Sequence, residues 1–385
     1  MARLDWIDDE LAKLRAAHLD RHLQTFAGRQ GAEISIDGRS YVNFGSNDYL
    51  GLAGDDRLAR AASQAAQVAG WGSGASPLVV GHAAEHELLE RELADFEGCE
   101  ASLLFSTGYA ANLAAVAAVV GRGDVVFSDE LNHASIVDGC RLSRAEVRVY
   151  PHNDVTQLAA LLREAGSFER RLIVTDGLFS MDGDVAPLAE LADLADRHDC
   201  MLAVDEAHAT GVLGAEGRGS CEAAGIESRV DVRVGTLSKA LGGVGGFVVG
   251  SRALIDWLVN RARPYIFSTA MPAASAAASR SALRIVREEP ARRVELAARA
   301  AKLREALTAQ GWNLGPSASQ IIPLVVGDAE RALQLSAGLR ERGFLVPAIR
   351  PPSVPADGSR LRLCLTWQHT PDMIDGLLRE LRPLR

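Results

Sequence analysis

The chain has 385 residues, 48% of them hydrophobic and 24% charged, and a formal net charge of −9. This apolar content excludes a disordered chain, and the length favours two or more domains because one core rarely grows beyond about 250–300 residues. The acidic balance argues against a nucleic-acid-binding protein, whose affinity depends on Lys and Arg contacts to phosphates.

The first 45 residues predict a helix followed by a hairpin. The hairpin is indicated by an apolar–polar alternation at 33–36, which is followed by an Asp-Gly turn. The helix is indicated by apolar residues that recur near a 3.6-residue period, at Trp6, Ile7, Leu11, Leu14 and Leu19. We treat 1–45 as a separate N-terminal segment.

Residues 46–280 predict a large domain built on a mainly parallel sheet. Strands that are short and apolar and are separated by helical patterns are typical of a parallel sheet covered on both faces. Such apolar runs occur at 101–105, 124–127, 171–175, 201–204, 230–234 and 245–249.

Residues 281–385 predict a smaller α+β domain. A long Ala-rich helical region begins after Pro272 and carries charged positions from 280 to 304. Strand-like and helical patterns then alternate, with strands at 321–326, 344–349 and 361–365 and helices at 329–342 and 371–381.

No membrane or export segment is expected. The longest weakly polar run, residues 110–120, is shorter than the roughly 20 apolar residues of a spanning helix. The N-terminus carries Asp5, Asp8 and Asp9, which give it the wrong charge for a signal peptide.

The cysteines are scattered and include no C-x-x-C pair, so we expect a cytoplasmic protein without a metal site. In a reducing compartment such cysteines behave as small apolar residues. We predict that all of them are buried: Cys99, Cys140, Cys200, Cys221 and Cys364.

An acidic residue closes one of the predicted strands. Four apolar residues lead into Asp205-Glu-Ala-His208, which places Asp205 at the carboxyl end of the strand, where open α/β folds bind ligands. A buried carboxylate is costly unless it is paired, and a protonated ring nitrogen is a suitable partner. His208 could turn towards the same ligand. A helix cap for Asp205 and a satisfied loop histidine at position 208 stay open as alternatives.

A lysine follows the next predicted strand. The segment Thr236-Leu-Ser238-Lys239 leads into a glycine-rich stretch at 242–246. A lysine flanked by hydroxyls and small residues can form a Schiff base where its surroundings favour the neutral amine. Thr236 and Ser238 could donate hydrogen bonds to a phosphate, and a surface turn is the alternative for Lys239.

A glycine turn joins a further strand to an Ala-rich helix at Gly108-Tyr109. Backbone N–H groups at a helix start, together with the helix dipole, form a natural phosphate site. The segment matches neither a Walker A loop nor G-x-G-x-x-G. A packed aromatic is the alternative for Tyr109.

Two more strand ends carry polar residues, His133 and Ser180. Taken singly, the first could be a satisfied loop histidine and the second a turn or cap residue. Together with Gly108, Asp205 and Lys239, they place groups suited to one phosphorylated, pyridine-like ligand at successive strand ends.

At these positions the sequence resembles the α-oxoamine synthases, a branch of the fold-type-I pyridoxal 5′-phosphate (PLP) enzymes. The resemblance covers nearly the whole chain and implies an α/β fold with a mainly parallel large domain and a smaller α+β C-terminal domain. The motifs that carry it are Asn47-Asp-Tyr-Leu-Gly51, Gly72-Ser-Gly74, Ser180-Met-Asp-Gly183, Asp205-Glu-Ala-His208-Ala-Thr-Gly211, Thr236-Leu-Ser-Lys239, Ala348-Ile-Arg350-Pro-Pro-Ser353-Val-Pro355 and Arg360-Leu-Arg362-Leu.

The resemblance implies a covalent PLP cofactor. Lys239 would carry it as an internal aldimine and then act as acid and base, and Asp205 would keep the pyridine nitrogen protonated. His208 and Ser180 would hydrogen-bond the phenolic oxygen of the ring. His133 would stack on the ring face.

The resemblance also implies how the phosphate is held and that the protein is an obligate homodimer. Gly108, Tyr109 and Thr236 would bind the phosphate of their own subunit. Thr269 would reach the phosphate of the neighbouring subunit.

Segment 348–355 is most like the family members that condense L-alanine with a pimeloyl thioester, carried on CoA or acyl carrier protein, to give a biotin precursor. Arg362 would bind the amino-acid carboxylate, because a planar guanidinium suits a planar anion. Arg21, His133 and Ser353 would also contact substrate. Arg350 is a further candidate for substrate contact.

The sequence departs from the family pattern at three positions. Pro77 stands where arginine is usual, Asp176 stands where glutamate is common, and Ser353 stands where threonine is frequent. The two latter changes keep the functional group, whereas Pro77 bears on how the acyl thioester is bound.

Other activities stay open. A sister α-oxoamine synthase such as glycine C-acetyltransferase would share these motifs, because acyl selectivity depends on pocket shape. Segment 350–355 disfavours an aminotransferase or lyase on the same fold. A non-catalytic PLP-binding sensor would need a DNA-binding or partner module, and no basic helix-turn-helix precedes the core.

Overall fold

A computed structural model describes residues 3–384. Contacts divide the chain into two compact units, which we call unit 1 (up to residue 47, 181–183, and from 296 onward) and unit 2 (48–180 and 184–295). This division does not test the domain boundaries that the sequence predicts near residues 45 and 280, and these boundaries remain a prediction. No helix within residues 3–384 combines the length and the apolar character needed to span a bilayer.

Short strands and helices alternate along the chain. The strands are β1 (Glu33–Ile36), β2 (Arg39–Asn43), β3 (Ala101–Phe105), β4 (Val125–Asp129), β5 (Glu146–Tyr150), β6 (Arg171–Asp176), β7 (Met201–Asp205), β8 (Val232–Thr236), β9 (Gly246–Gly250), β10 (Ile321–Gly327), β11 (Phe344–Leu345), β12 (Ala348–Ile349) and β13 (Ser359–Cys364). The helices are α1 (Trp6–Ala16), α2 (Asp56–Ala69), α3 (Ala84–Glu97), α4 (Gly108–Val119), α5 (Ala134–Ser143), α6 (Val155–Arg163), α7 (Leu188–Arg197), α8 (Ser220–Ala223), α9 (Arg252–Arg261), α10 (Arg263–Ile266), α11 (Ala273–Glu288), α12 (Ala291–Ala309), α13 (Ala329–Glu341) and α14 (Pro371–Leu381).

Unit 2 is built on a seven-stranded sheet with the strand order β3-β9-β8-β7-β6-β4-β5. Strands β4 to β8 pair in parallel, whereas β9 is antiparallel to both of its neighbours, β3 and β8. Because β9 alone is reversed, β3 runs in the same direction as β8. The carboxyl ends of the other six strands therefore lie at one edge of the sheet.

Apolar side chains cover both faces of this sheet, as a mainly parallel sheet requires. In β7, Ala203 joins one core cluster, while Leu202 and Val204 join the other. Alanines and valines of α4 belong to the first cluster, and leucines of α7 belong to the second. This alternation fixes the register of β7 and leaves its last residue, Asp205, at the sheet edge.

Unit 1 contains two three-stranded sheets, β1-β2-β11 and β10-β13-β12. Both β10 and β12 pair antiparallel to β13, and β11 pairs parallel to β2. Helix α13 packs on these strands with Ala332, Leu335 and Leu339 buried. The fold class predicted from the sequence is confirmed, with a mainly parallel α/β sheet and a smaller α+β unit.

Several details differ from the sequence prediction. Helix α1 ends at Ala16, so Leu19 lies beyond it, and none of its apolar side chains is buried. The strand expected at 344–349 is two short strands, since Pro347 between them has no N–H to donate. Cys99 and Cys200 are half-buried, because both lie in connections just before a strand.

Candidate active site

The main cofactor residues expected from the sequence belong to unit 2 and follow strand ends at one edge of its sheet. Gly108 follows β3, His133 follows β4, Ser180 follows β6, Asp205 ends β7 and Lys239 follows β8. Since these five strands run in the same direction, side chains that are far apart in sequence converge.

Asp205 is a buried carboxylate, 4% exposed, at the end of β7. Nδ2 of Asn112 donates to its Oδ2 at 2.6 Å, and the backbone N–H of Ala207 donates to its Oδ1 at 2.8 Å. These charge-assisted hydrogen bonds offset part of the cost of burying the carboxylate. The amide of Asn112 is itself fixed, because it also donates to Oγ of Ser135 at 2.9 Å.

A chain of hydrogen-bonded side chains runs from the buried Tyr49 through His208 to Lys239. Its Nζ lies 2.7 Å from Nε2 of His208, and Nδ1 of the same ring lies 2.7 Å from the hydroxyl of the fully buried Tyr49. The imidazole is therefore held at both nitrogens. Lys239 is one of three lysines in the sequence, and the other two, Lys13 and Lys302, belong to unit 1.

The start of α4 packs so closely against β8 and β9 that a side chain at Gly108 or Gly246 would not fit. A Cβ at Gly108 would lie 3.2 Å from Cβ and Oγ1 of Thr236, and a Cβ at Gly246 would lie 2.5 Å from Cα of Gly108. The hydroxyls of Thr236 and Ser238 lie 2.8 Å apart. The first N–H groups of a helix have no partner within it. The Thr236 hydroxyl donates to the carbonyl of Gly245 at 2.9 Å, so the N–H groups at the helix start are the donors suited to a phosphate here.

His133 is the N-cap of α5. Its Nδ1 accepts the backbone N–H of Ser135 at 3.3 Å and lies 2.7 Å from Oγ of the same residue. Burial lowers the pKa of His133; the nearby charge of Asp205 raises it and that of Lys239 lowers it further. A neutral ring whose Nδ1 accepts a hydrogen bond carries its proton on Nε2.

A second carboxylate lies beside Asp205. Asp176 ends β6, pairs in register with Asp205, and accepts the backbone N–H of His133 on Oδ2 at 2.6 Å. Burial and the adjacent charge of Asp205 raise the pKa of Asp176 well above its ordinary value. The protonated form avoids placing two charges side by side in the interior.

The other expected cofactor residues occupy different environments within unit 2. Thr236 is buried, Ser180 is half-buried in the turn after β6, and Thr269 is exposed between α10 and α11. The side chain of Tyr109 is 43% exposed and donates to a carboxylate oxygen of Asp138. Of Tyr109, therefore, only the backbone N–H is available to the phosphate site at the start of α4.

The expected substrate residues lie in unit 1, apart from His133. Arg362 is 5% exposed on β13, and its Nη1 donates to Oδ1 of Asn47 at 3.1 Å. Arg21 is exposed, with Nη2 donating to the carbonyl of Pro351 at 3.0 Å. The exposed Ser353 donates its N–H to the carbonyl of Arg350 at 3.2 Å.

The groups at the sheet edge of unit 2 fit PLP part by part. Lys239 supplies an amine for the aldehyde, and Asp205 supplies a buried carboxylate for the ring nitrogen. The helix start at Gly108, beside Thr236, supplies donors for the phosphate, and the glycines there leave space that a Cβ would fill. All of these groups belong to unit 2.

Two residues of this site, Asn112 and Tyr49, were given no role from the sequence. Asn112 stands four residues after Gly108, so it lies on the same helix face as the helix start. An amide in an otherwise apolar helix was the signal for it. Tyr49 carried no such signal, because only the fold brings it to His208.

Comparisons with known proteins agree with this geometry. Residues 39–381 match the aminotransferase class I and II family. The 8-amino-7-oxononanoate synthase of Anaeromyxobacter dehalogenans is 53% identical over 99% of this chain and 96% of its own. The 8-amino-7-oxononanoate synthase of Symbiobacterium thermophilum is 45% identical over 98% of this chain and 97% of its own.

Solved structures show the same likeness. A serine palmitoyltransferase from S. paucimobilis, with a bound PLP–myriocin aldimine, superimposes with a TM-score of 0.94 at 33% identity, covering 100% of this chain and 97% of that one. An 8-amino-7-oxononanoate synthase from Francisella tularensis gives a TM-score of 0.78 at 30% identity, covering 89% and 97%. The chain belongs to the aminotransferase class I and II family and, within its PLP-dependent α-oxoamine synthases, to the 8-amino-7-oxononanoate synthase group of acyltransferases.

Proposed function

We propose that this protein condenses L-alanine with a pimeloyl thioester, releasing CO2 and a free thiol, to form 8-amino-7-oxononanoate for biotin biosynthesis. The observation that carries the proposal is the convergence of Lys239 and the buried Asp205 at one sheet edge. Sequence identity of 45–54% to 8-amino-7-oxononanoate synthases supports this choice of substrates.

PLP, when bound, supplies an electron sink that stabilises negative charge at the α-carbon of an amino acid. Asp205 accepts a hydrogen bond from the ring nitrogen and keeps it protonated, while Asn112 and the N–H of Ala207 hold the carboxylate in place. Without such a carboxylate the ring nitrogen would lose its proton and the sink would weaken.

Lys239 is the proposed acid and base. Its Nζ would hold the cofactor covalently, and, once the amino group of alanine has displaced it, the freed amine would take up the α-proton of alanine. His208, 2.7 Å from that amine, accepts or donates a hydrogen bond as the lysine changes its protonation state. Ser180, and Nε2 of His208 when Lys239 is bound to the cofactor, would hydrogen-bond the phenolic oxygen of the ring.

His133 has two proposed tasks. Its ring stacks on the cofactor, and its Nε2–H donates to the thioester oxygen as negative charge develops there. A neutral ring is suited to this task, and the lowered pKa of His133 favours the neutral form. The backbone N–H of the same residue is tied to Asp176, which fixes its position.

Carboxylate and thioester recognition are assigned to unit 1. Arg362 binds the alanine carboxylate, because its guanidinium offers parallel donors to a planar anion. Arg21 and Ser353 contact substrate. The bond from Arg362 to Asn47 holds the guanidinium on β13.

A homodimer completes the proposed site, with Thr269 of each copy reaching the phosphate of the other. Exposed apolar side chains near Thr269 support an interface, since Phe267 is 70% exposed and Val79 and Val80 are 72% and 80% exposed. The hydrogen bond from Ala270 N–H to the carbonyl of Ala75 joins these segments into one surface. Apolar patches of this kind mark protein contacts.

A sister activity is the second candidate, because the structural likeness to serine palmitoyltransferase is high. That enzyme shares the fold, and the cofactor residues of unit 2 would serve either reaction. The higher sequence identity to 8-amino-7-oxononanoate synthases favours alanine and a pimeloyl thioester.

Replacing Lys239 by Ala should abolish turnover and covalent cofactor attachment. The chain has only three lysines, so borohydride reduction of the holoenzyme followed by peptide mass spectrometry locates the attachment site without ambiguity. Lys302→Ala is the matched control and should keep both properties. Full activity in Lys239→Ala would refute the assignment.

Replacing Gly246 by Ala should weaken PLP binding. The new Cβ would meet Cα and N of Gly108 at 2.5 and 2.6 Å, which displaces the helix start. Hydrogen bonds to charged groups contribute about 1.5–3 kcal/mol, so the Kd of PLP should rise roughly 10- to 100-fold. Titration of the apoenzyme with PLP and with pyridoxal measures this.

The affinity for pyridoxal, which lacks the phosphate, should change much less in this variant. Gly121→Ala is the control, because its Cβ would meet nothing closer than 3.9 Å. An unchanged Kd for PLP, or an equal loss for both ligands, contradicts the phosphate assignment.

The substrate pair is tested by thiol release from the PLP-loaded protein. L-alanine with pimeloyl-CoA should release thiol and an equal amount of CO2, whereas glycine with acetyl-CoA and serine with palmitoyl-CoA should release little. Pimeloyl-acyl carrier protein is assayed in parallel to identify the natural carrier. Faster release with glycine and acetyl-CoA would overturn the substrate and keep the family.

A further inference from the structure

A histidine outside the proposed catalytic set lies between two buried carboxylates in unit 2. Nδ1 of His152 is 3.0 Å from Oδ1 of Asp129, and its Nε2 is 2.8 Å from Oδ2 of Asp184. The side chains of the two acids are 1% and 7% exposed. We call these three residues the imidazolium clamp.

Each ring nitrogen of His152 lies beside a carboxyl oxygen, and an imidazolium can donate to both when the two carboxylates are ionised. Burial alone would lower the pKa of His152, but the hydrogen bonds to Asp129 and Asp184 raise it to about 10. The ring is therefore an imidazolium near neutral pH, and its positive charge offsets two buried negative ones.

One end of the clamp is tied to the loop that carries His133. Asp129 ends β4 and accepts the backbone N–H groups of Leu131 and Asn153 at 2.8 Å each. His152 also donates its own backbone N–H to Oε1 of Glu130 at 2.9 Å. The loop between β4 and α5 is thus fixed immediately before His133.

The other end is tied to the turn that carries Ser180. Asp184 lies on the returning flank of this turn, and its carbonyl accepts the N–H of Phe179 at 3.0 Å. The ring of Phe179 contacts the His152 ring edge-on at 4.4 Å between centroids. Nδ2 of Asn153 donates to Oδ2 of Asp184 at 2.9 Å. The turn is therefore joined to Asp129 through His152 and, in a second link, through Asn153.

We propose that His152 is a positioning residue whose imidazolium fixes the His133 loop and the Ser180 turn relative to each other. The inference rests on the proposed function, in which both residues contact the cofactor. Misplacement of a catalytic group by about 1 Å can reduce a rate roughly 100-fold, so a rigid link between two such segments has a direct catalytic consequence.

Two substitutions each remove one of the two hydrogen bonds of the clamp and keep the other. In His152→Asn the amide nitrogen occupies the place of Nδ1, which keeps the bond to Asp129 and loses the bond to Asp184. In His152→Gln the amide nitrogen can reach the place of Nε2, which keeps the bond to Asp184 and loses the bond to Asp129. His198→Gln, at the end of α7, is the matched control.

Hydrogen exchange of the apoenzyme is the first readout, because it does not depend on activity. His152→Asn should speed exchange at 177–180 and leave 130–133 unchanged, and His152→Gln should do the reverse. Faster exchange throughout unit 2 in both variants, or no change in either, overturns the proposal.

Steady-state kinetics with alanine and pimeloyl-CoA is the second readout. Both variants should lower kcat roughly 10- to 100-fold, with KM for alanine within about two-fold of wild type, since Arg362 is untouched. His198→Gln should match wild type.

Equal loss of kcat and of thermal stability, without the segment-specific exchange, would indicate a merely structural role and overturn the proposal. If the wild type itself does not turn over these substrates, the proposed function fails, while the exchange pattern still decides the clamp.

Discussion

The common direction of six strands in the sheet of unit 2 is the constraint on which the site depends. Parallel strands end at the same edge, so Asp205, Lys239 and His133 meet although up to about a hundred residues separate them. The reversed β9 serves this arrangement, because its first residue, Gly246, lies against the start of α4. A side chain there would displace the helix N-terminus.

Burial of charge is the second constraint, and neighbouring residues resolve it differently. Asp205 keeps donors on both carboxylate oxygens, from Asn112 and from the N–H of Ala207. Asp176, beside it in register, has a raised pKa instead. Asp129 and Asp184 share one imidazolium. Each solution lowers the free-energy cost of burying a carboxyl group in unit 2.

The sequence predicts those features that are local. An apolar run followed by a polar motif identified β7 with Asp205 and β8 with Lys239, and helix 371–381 has the same bounds as α14. Strand β5 was missed, because its apolar residues alternate with charged ones and Val147 and Val149 are exposed at the sheet edge. An exposed edge strand lacks the continuous apolar run that revealed the central strands.

The features that the sequence did not predict depend on register or on distant contacts. The reversal of β9 has no signature, since side-chain periodicity is the same in either direction. The contact of Tyr49 with His208 joins residues 159 positions apart. The raised pKa of Asp176 depends on its burial and on its pairing with Asp205 across two strands. The roles given to Arg21, Ser353 and Arg362 come from family resemblance and stay predictions.

The state of the cofactor's ring nitrogen tests the central claim most directly. The 15N chemical shift of ring-labelled PLP should show a protonated nitrogen in the wild type near neutral pH and an unprotonated one in Asp205→Asn. Asp176→Asn is the control and should keep the protonated shift, because Asp205, the carboxyl assigned to the ring nitrogen, is unchanged in this variant. An unprotonated nitrogen in the wild type, or the same shift in wild type and Asp205→Asn, would contradict the role given to Asp205.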